Sequence, residues 1–119
     1  MGKYVIGFVT TDTKKLAIRM AARIVQEKLA ACVNIIDGIR SIYRWKGKIE
    51  KTKESLLIIK TRKNLTKDLI VLIKKLHTYT TPEIIFFEID NGEKNYLNWI
   101  RDNTLFVSSI TNNNGEEKK

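Results

Sequence analysis

From Ala31 to about Thr61 the chain reads as extended, and no other stretch constrains the fold as tightly. The first half, Ala31 to Trp45, is interrupted only at Asp37-Gly38, a pair that suits a bulge within a strand. Lys46-Gly47 supplies a turn, and Lys48 to about Thr61 forms the return strand. A continuous strand of 15 residues extends roughly 50 Å at about 3.3 Å per residue. A compact domain of 119 residues has a radius of gyration of about 13 to 14 Å and a diameter of roughly 35 Å. The hairpin must therefore overhang its own domain. Its distal half carries Ile39, Tyr43 and Trp45 at alternating positions, with Ile49 just past the turn. In water such a ribbon exposes apolar side chains and unpaired edge groups, so pairing with another subunit is expected. Length alone would accept any closed ring.

The flanking segments give this hairpin its setting. Residues 3 to 11 alternate and are rich in Val, Ile, Phe and Thr, which predicts a buried first strand. Asp12 or Thr13 then caps a helix with Leu16, Ala17, Met20, Ala21, Ile24 and Val25 on one side and Lys15, Arg19, Arg23 and Gln26 on the other. The return strand contains Leu56-Leu57-Ile58-Ile59, apolar on both faces as in a central strand covered on two sides. Asn64 is placed to cap a second helix, with Asp68 in its first turn, a stripe of Leu65, Leu69, Leu72, Ile73 and Leu76, and His77 at its end. The sequon-like Asn64-Leu65-Thr66 is accordingly read as a helix start. Thr78 to Pro82 form a linker, and the restriction that Pro82 imposes on its predecessor leads into a fourth strand, Glu83 to Asp90. Beyond Asn91-Gly92, residues Tyr96, Leu97, Trp99 and Ile100 predict a short amphipathic helix, and Leu105 to Ile110 one more extended piece. The resulting class is α+β, a ferredoxin-like βαββαβ domain over residues 1–110 with an antiparallel sheet, both main helices on one face, a long central hairpin and a short C-terminal helix. Residues 111–119 are a polar tail.

With 43% hydrophobic residues and one Pro, the composition is that of a globular domain, and no run reaches the roughly 20 apolar residues of a membrane span. The N-terminus lacks the apolar run and small-residue cleavage site of a secretory signal, and the lone Cys32 has no internal disulfide partner, so cytoplasmic residence is expected. Lys and Arg outnumber Asp and Glu 22 to 13, a net +9 that invites anionic partners. The excess is spread along the whole chain, however, as in a solvated surface. An RNA-binding sheet would carry stacking aromatics on its third strand. Here only Gly7-Phe8-Val9 on the first strand copies a fragment of that pattern, so no specific nucleic-acid partner is expected.

No Gly-x-Ser-x-Gly, phosphate-cradling glycine loop or His-Glu-x-x-His occurs, and no enzymatic activity is expected. Glu50 and Glu54 share one face of a strand among Lys48, Lys51 and Lys53, the pattern of an ion-paired strand surface. Five separated segments stand out instead: Ala31-Cys32-Val33-Asn34, Ser41 to Gly47, Leu57 to Thr61, His77 to Ile84, and Tyr96-Leu97-Asn98-Trp99. In this order and spacing, over about residues 4 to 102, the chain resembles the CutA family of divalent-cation-tolerance proteins.

The resemblance implies a homotrimer with the subunit plan of the PII signalling proteins, and clefts between subunits that bind a divalent metal such as copper or another small ligand. A trimer serving structural or protein-interaction ends, without a physiological metal, is the alternative. No cofactor is required by either. Thr78 stands where the family usually has the first proline of its His-Pro-Tyr motif, and Thr80 takes a polar position that follows. Of three ligands proposed in a bacterial copper-binding form, Leu76 and Val9 occupy two positions here and only His77 is kept. The metal candidates are thus His77 and Cys32, the softest ligands present, and so small a set predicts weak binding. Each also has a structural reading: Cys32 in Ala-Ala-Cys-Val as a buried thiol, and His77 as a helix-end residue bonded to backbone. Tyr43, Tyr79 and Trp99 are candidates to wall a ligand cleft, with Lys60 and Glu83 as its polar contacts. Tyr43 and Trp45 are candidates for a subunit interface, where aromatics are enriched.

Overall fold

The computed structural model describes residues 3–106. Strands β1 (Tyr4–Thr11), β2 (Cys32–Trp45), β3 (Lys48–Arg62) and β4 (Ile84–Glu88) form one antiparallel sheet in the order β2-β3-β1-β4. Helices α1 (Lys14–Gln26), α2 (Thr66–Leu76) and α3 (Lys94–Asp102) complete the α+β, ferredoxin-like arrangement. α1 carries the chain from β1 over β3 to β2, and α2 carries it from β3 over β1 to β4. Such crossovers share one hand, so both helices land on the same face of the sheet. Leu57 and Ile59 of β3 and Val9 of β1 meet Leu16, Met20 and Ile24 of α1 and Leu69 and Ile73 of α2 in one core.

The helix starts differ in kind. Thr13, not Asp12, caps α1, its Oγ1 accepting the Leu16 N–H at 3.1 Å, and Val25 lies exposed beside the buried stripe. At α2 no side chain caps the helix: Lys63–Leu65 form a 3₁₀ turn, with Asn64 exposed. The turn sends Leu65 wholly into the core, and that burial, not an Asn64 cap, fixes the entry.

β1 pairs with β3 only as far as Thr11 opposite Ser55. From Glu54 to Lys48, β3 pairs among the described residues with β2 alone, so a two-stranded ribbon leaves the body of the domain. The longest dimension is 49 Å, against 32 and 25 Å for the others. The bulge falls where Asp37-Gly38 predicted it, as a register shift between Ile36 and Ile39, and the Ser55 hydroxyl donates to Asp37 Oδ1 at 2.8 Å. At the tip, Lys46 and Gly47 have φ of 50° and 80°, the left-handed pair whose twist matches that of a hairpin. Ile42, Tyr43, Trp45 and Ile49 of the ribbon are all exposed, Ile42 by 69%.

The second face of the sheet carries neither α1 nor α2. Strand alternation puts Ile6, Phe8, Leu56, Ile58, Ile85 and Phe87 there, with Phe8 and Phe87 in edge contact at 5.1 Å and Ile85 and Phe87 exposed. The two-sided cover expected of Leu56 to Ile59 is thus met on one side only. Leu57 and Ile59 lie under the helices, while Leu56 and Ile58 are half-buried, because both crossovers spend their helices on the other face. Leu105 and Phe106 are not in a strand, the Leu105 N–H donating to Lys28 O at 2.9 Å. The rest of that predicted piece, the boundary at 110 and the tail fall outside the described residues.

Gly7 sits between Ile59 and Phe86 across β1, with the Phe86 ring lying over it. A Cβ there would come within 2.7 Å of the ring. Gly7→Ala should therefore cost about 1 to 3 kcal/mol by overpacking, read from denaturant midpoints. An unchanged midpoint would contradict this close approach.

Candidate functional site

The site begins where α2 ends. His77 closes the helix, its N–H donating to Ile73 O at 2.9 Å, and its backbone then turns extended. Its ring lies between two backbone groups, with Nε2 2.7 Å from Thr10 O and Nδ1 3.1 Å from Tyr79 N. A carbonyl can only accept and an amide N–H can only donate, so the proton resides on Nε2 and the Nδ1 lone pair is taken. His77 thereby ties the end of β1 to the linker and sets the Tyr79 ring 4.7 Å from its own.

From there Tyr79 reaches β3, its hydroxyl donating to Glu54 Oε2 at 2.7 Å. Glu54 occupies the first β3 position past the last β1 partner, and its side chain is only 8% exposed. Burial first, and then the bonded Glu54 carboxylate, push the Tyr79 hydroxyl well above its ordinary range, so it remains a donor. Burial and, secondarily, the charge of Glu54 also raise the Glu83 carboxyl.

These groups line an open cleft of about 670 Å³ that runs along the ribbon from Glu54 at its root toward Trp45 at its tip, walled by Tyr43, Trp45 and Tyr79, with Thr10, Glu54 and Glu83 among its polar groups. Tyr43, Tyr79 and Glu83 of the expected ligand cleft are thus brought together within one chain, joined by Trp45. Lys60 and Trp99 lie elsewhere: Lys60 Nζ donates to Asn34 Oδ1, and exposed Trp99 stacks on Tyr96 at 5.5 Å. Glu54 was expected in an ion-paired strand surface. Neither it nor Glu50 forms an ion pair among the described residues, and Glu54 is instead the buried acceptor of the site. One signal for this was legible, since Glu54 continues the row Leu56, Ile58, Lys60 on one face and is an acid on a largely apolar line.

The two soft ligands are not brought together. Cys32 pairs across β2 and β3 with Lys60, and His77 holds Thr10, which pairs with Leu56, about 13 Å further along β3. Cys32 is half-buried, not the buried thiol its neighbours implied, because β2 is an edge strand, and its Sγ lies 3.9 Å from Asn34 Oδ1. No group of three or more His, Cys, Asp or Glu converges among the described residues. The described residues of one chain therefore do not present the donor set of a tight copper or zinc site.

Residues 5–103 match the family model of the CutA1 divalent ion tolerance protein. The chain is 43% identical over 96 residues to the divalent-cation tolerance protein CutA of Thermus thermophilus, covering 81% of this chain and 93% of that one. It is 43% identical over 100 residues to the chloroplastic protein CutA of Arabidopsis thaliana, covering 84% of this chain and 55% of the relative, so it spans about half the length of such plant relatives. The crystal structure of CutA1 from Oryza sativa superposes with a TM-score of 0.86 at 40% identity, covering 90% of this chain and all of that one.

The raised Glu83 carboxyl has a consequence for stability. Between the ordinary carboxylate range, about 4.3, and its raised value, the folded chain holds a proton that the unfolded chain has lost, so stability falls as pH rises through that window. Glu83→Gln lacks this term. Its melting temperature relative to the parent should be slightly higher at pH 7 than at pH 4, as expected of an exposed group, and a difference independent of pH would rule out the raised Glu83 carboxyl beside Glu54.

Proposed function

Because the chain belongs to the CutA1 divalent ion tolerance family, we propose that it acts as a homotrimeric binding protein whose clefts between subunits take a divalent cation or another small ligand in the response to divalent cations. The relatives are named for tolerance and not for a catalysed reaction. The observation that carries the assembly is the ribbon. Beyond Ser55 no third strand pairs with it among the described residues, and Ile42, Tyr43, Trp45 and Ile49 are exposed along it. The uncovered sheet face adds a second apolar surface for a neighbour to bury. Three subunits in place of two is what the family resemblance implies. With the cleft along each ribbon, docking of a neighbour would set ligand sites along the seams.

Cytoplasmic residence is part of this reading, with no membrane and no specific nucleic acid as partner. Among the described residues no helix is long and apolar enough to cross a membrane, while the Arabidopsis relative is named as chloroplastic. Copper, if bound, is a weak ligand here, because both ring nitrogens of His77 are already engaged and Cys32 stands apart. That same engagement favours a second reading, a trimer of structural or protein-interaction role without a physiological metal.

Light scattering on the full chain should give about three times the chain mass, unchanged on dilution, and charged residues at Tyr43 and Trp45 should break the assembly and lower its melting temperature. A well-folded monomer at micromolar concentration would overturn the trimer. Titration with Cu²⁺ should show weak binding, most of it gone in His77→Ala. Submicromolar affinity that survives the substitution would place the metal on other residues.

A further inference from the structure

The geometry points to the Glu54–Glu83 cleft as a site for an organic cation, an amine, polyamine or guanidinium compound. This deepens the reading of the cleft as a ligand site and rests on it, but it does not depend on the number of subunits, because one chain supplies the lining. Lys and Arg outnumber Asp and Glu 22 to 13 over the chain, yet none of them lines this cleft, and two carboxylates do.

Glu54 makes the strongest demand. It is more than nine-tenths buried, its Oε2 is taken by the Tyr79 hydroxyl, and its Oε1 accepts no hydrogen bond among the described residues. A buried carboxylate without a cation is costly, and a charged N–H donor directed at that oxygen removes the cost. Glu83, exposed at the cleft's edge, is disfavoured as an anion by partial desolvation and by Glu54, so a positive charge between the two relieves both. The walls suit the same ligand: Tyr43, Trp45 and Tyr79 are among the lining, and aromatic rings attract cations, as Trp45 does Lys46 Nζ at 5.9 Å from its ring centre.

A bare metal ion fits these features less well. Hard divalent cations need about six oxygens within roughly 2.0 to 2.6 Å, whereas this recess is roomy, aromatic and provides two carboxylates. About 670 Å³ is the size of a small-molecule site.

The test uses the full chain, with its assembly state measured by light scattering on the same sample. Spermidine and agmatine are titrated by calorimetry at physiological salt, with Mg²⁺ as competitor. Trp99→Phe leaves Trp45 as the only tryptophan, so its emission reports occupancy. Saturable binding of either amine with a change in Trp45 emission is expected, weakened roughly tenfold or more in Glu83→Gln, which removes one charged acceptor from the cleft. Glu54→Gln should weaken it likewise, and if that variant fails to fold, Glu83→Gln decides. Absence of saturable binding would overturn the proposal, as would binding indifferent to Glu83→Gln or displacement by Mg²⁺ at equal concentration. A monomeric sample that still binds the amines would refute the trimer and leave this site standing. A trimer that binds none would do the reverse.

Discussion

The structure depends on the double role of β3. It pairs with β2 from Lys48 to Lys60, across the bulge, and with β1 only from Ser55 onward. That inequality divides the hairpin into a root embedded in a four-stranded sheet and a free ribbon. It also decides where side chains go, because the root rows alternate between a face under α1 and α2 and a face under neither. Leu57 and Ile59 are wholly buried, while their neighbours Leu56 and Ile58 wait on the open side. One subunit therefore satisfies half of its most apolar strand. The other half is a reason for association that arises in the core, before the ribbon is considered.

The cleft is a by-product of the same inequality. Where β1 stops, β3 loses its neighbour, and the linker after α2 moves alongside. The His77 ring, clasped between Thr10 O and the Tyr79 N–H, fixes that linker to the end of β1. Tyr79 then closes on Glu54 at the first unpaired position. A histidine that resembles a metal ligand by motif serves as a backbone clasp, and a tyrosine and two glutamates are what the cleft beside it gathers.

Much of this was legible from residues alone, and the misses have physical causes. Strand and helix order followed from period and from breakers such as Lys46-Gly47 and Pro82, because local backbone preference and burial agree there. The bulge at Asp37-Gly38 was legible because that pair breaks an otherwise apolar run. Asn64 misled, since a good capping residue was overridden by the burial of Leu65 one position later. Tyr43, Tyr79 and Glu83 were found as cleft candidates, but Glu54 was read with the lysines beside it in sequence. Its true partner, Tyr79, comes from another element, and such a contact has no local trace. Lys60 and Trp99 illustrate the converse, polar and aromatic residues of the right type that this chain does not direct into the cleft.

The two-residue turn at the hairpin tip also bears on the order in which the chain can assemble. Trp45 meets Lys48 across a minimal loop, and each further pair toward Cys32 and Lys60 closes against one already made, so the ribbon can zip up early from its own tip. The pairing of Val5 with Glu88 must bring together residues from nearly opposite ends of the domain and pays the largest loop entropy. The element that reaches out of the finished domain is thus the one with the most local route to structure, and the strand that closes the sheet, β4, is the one that must wait longest.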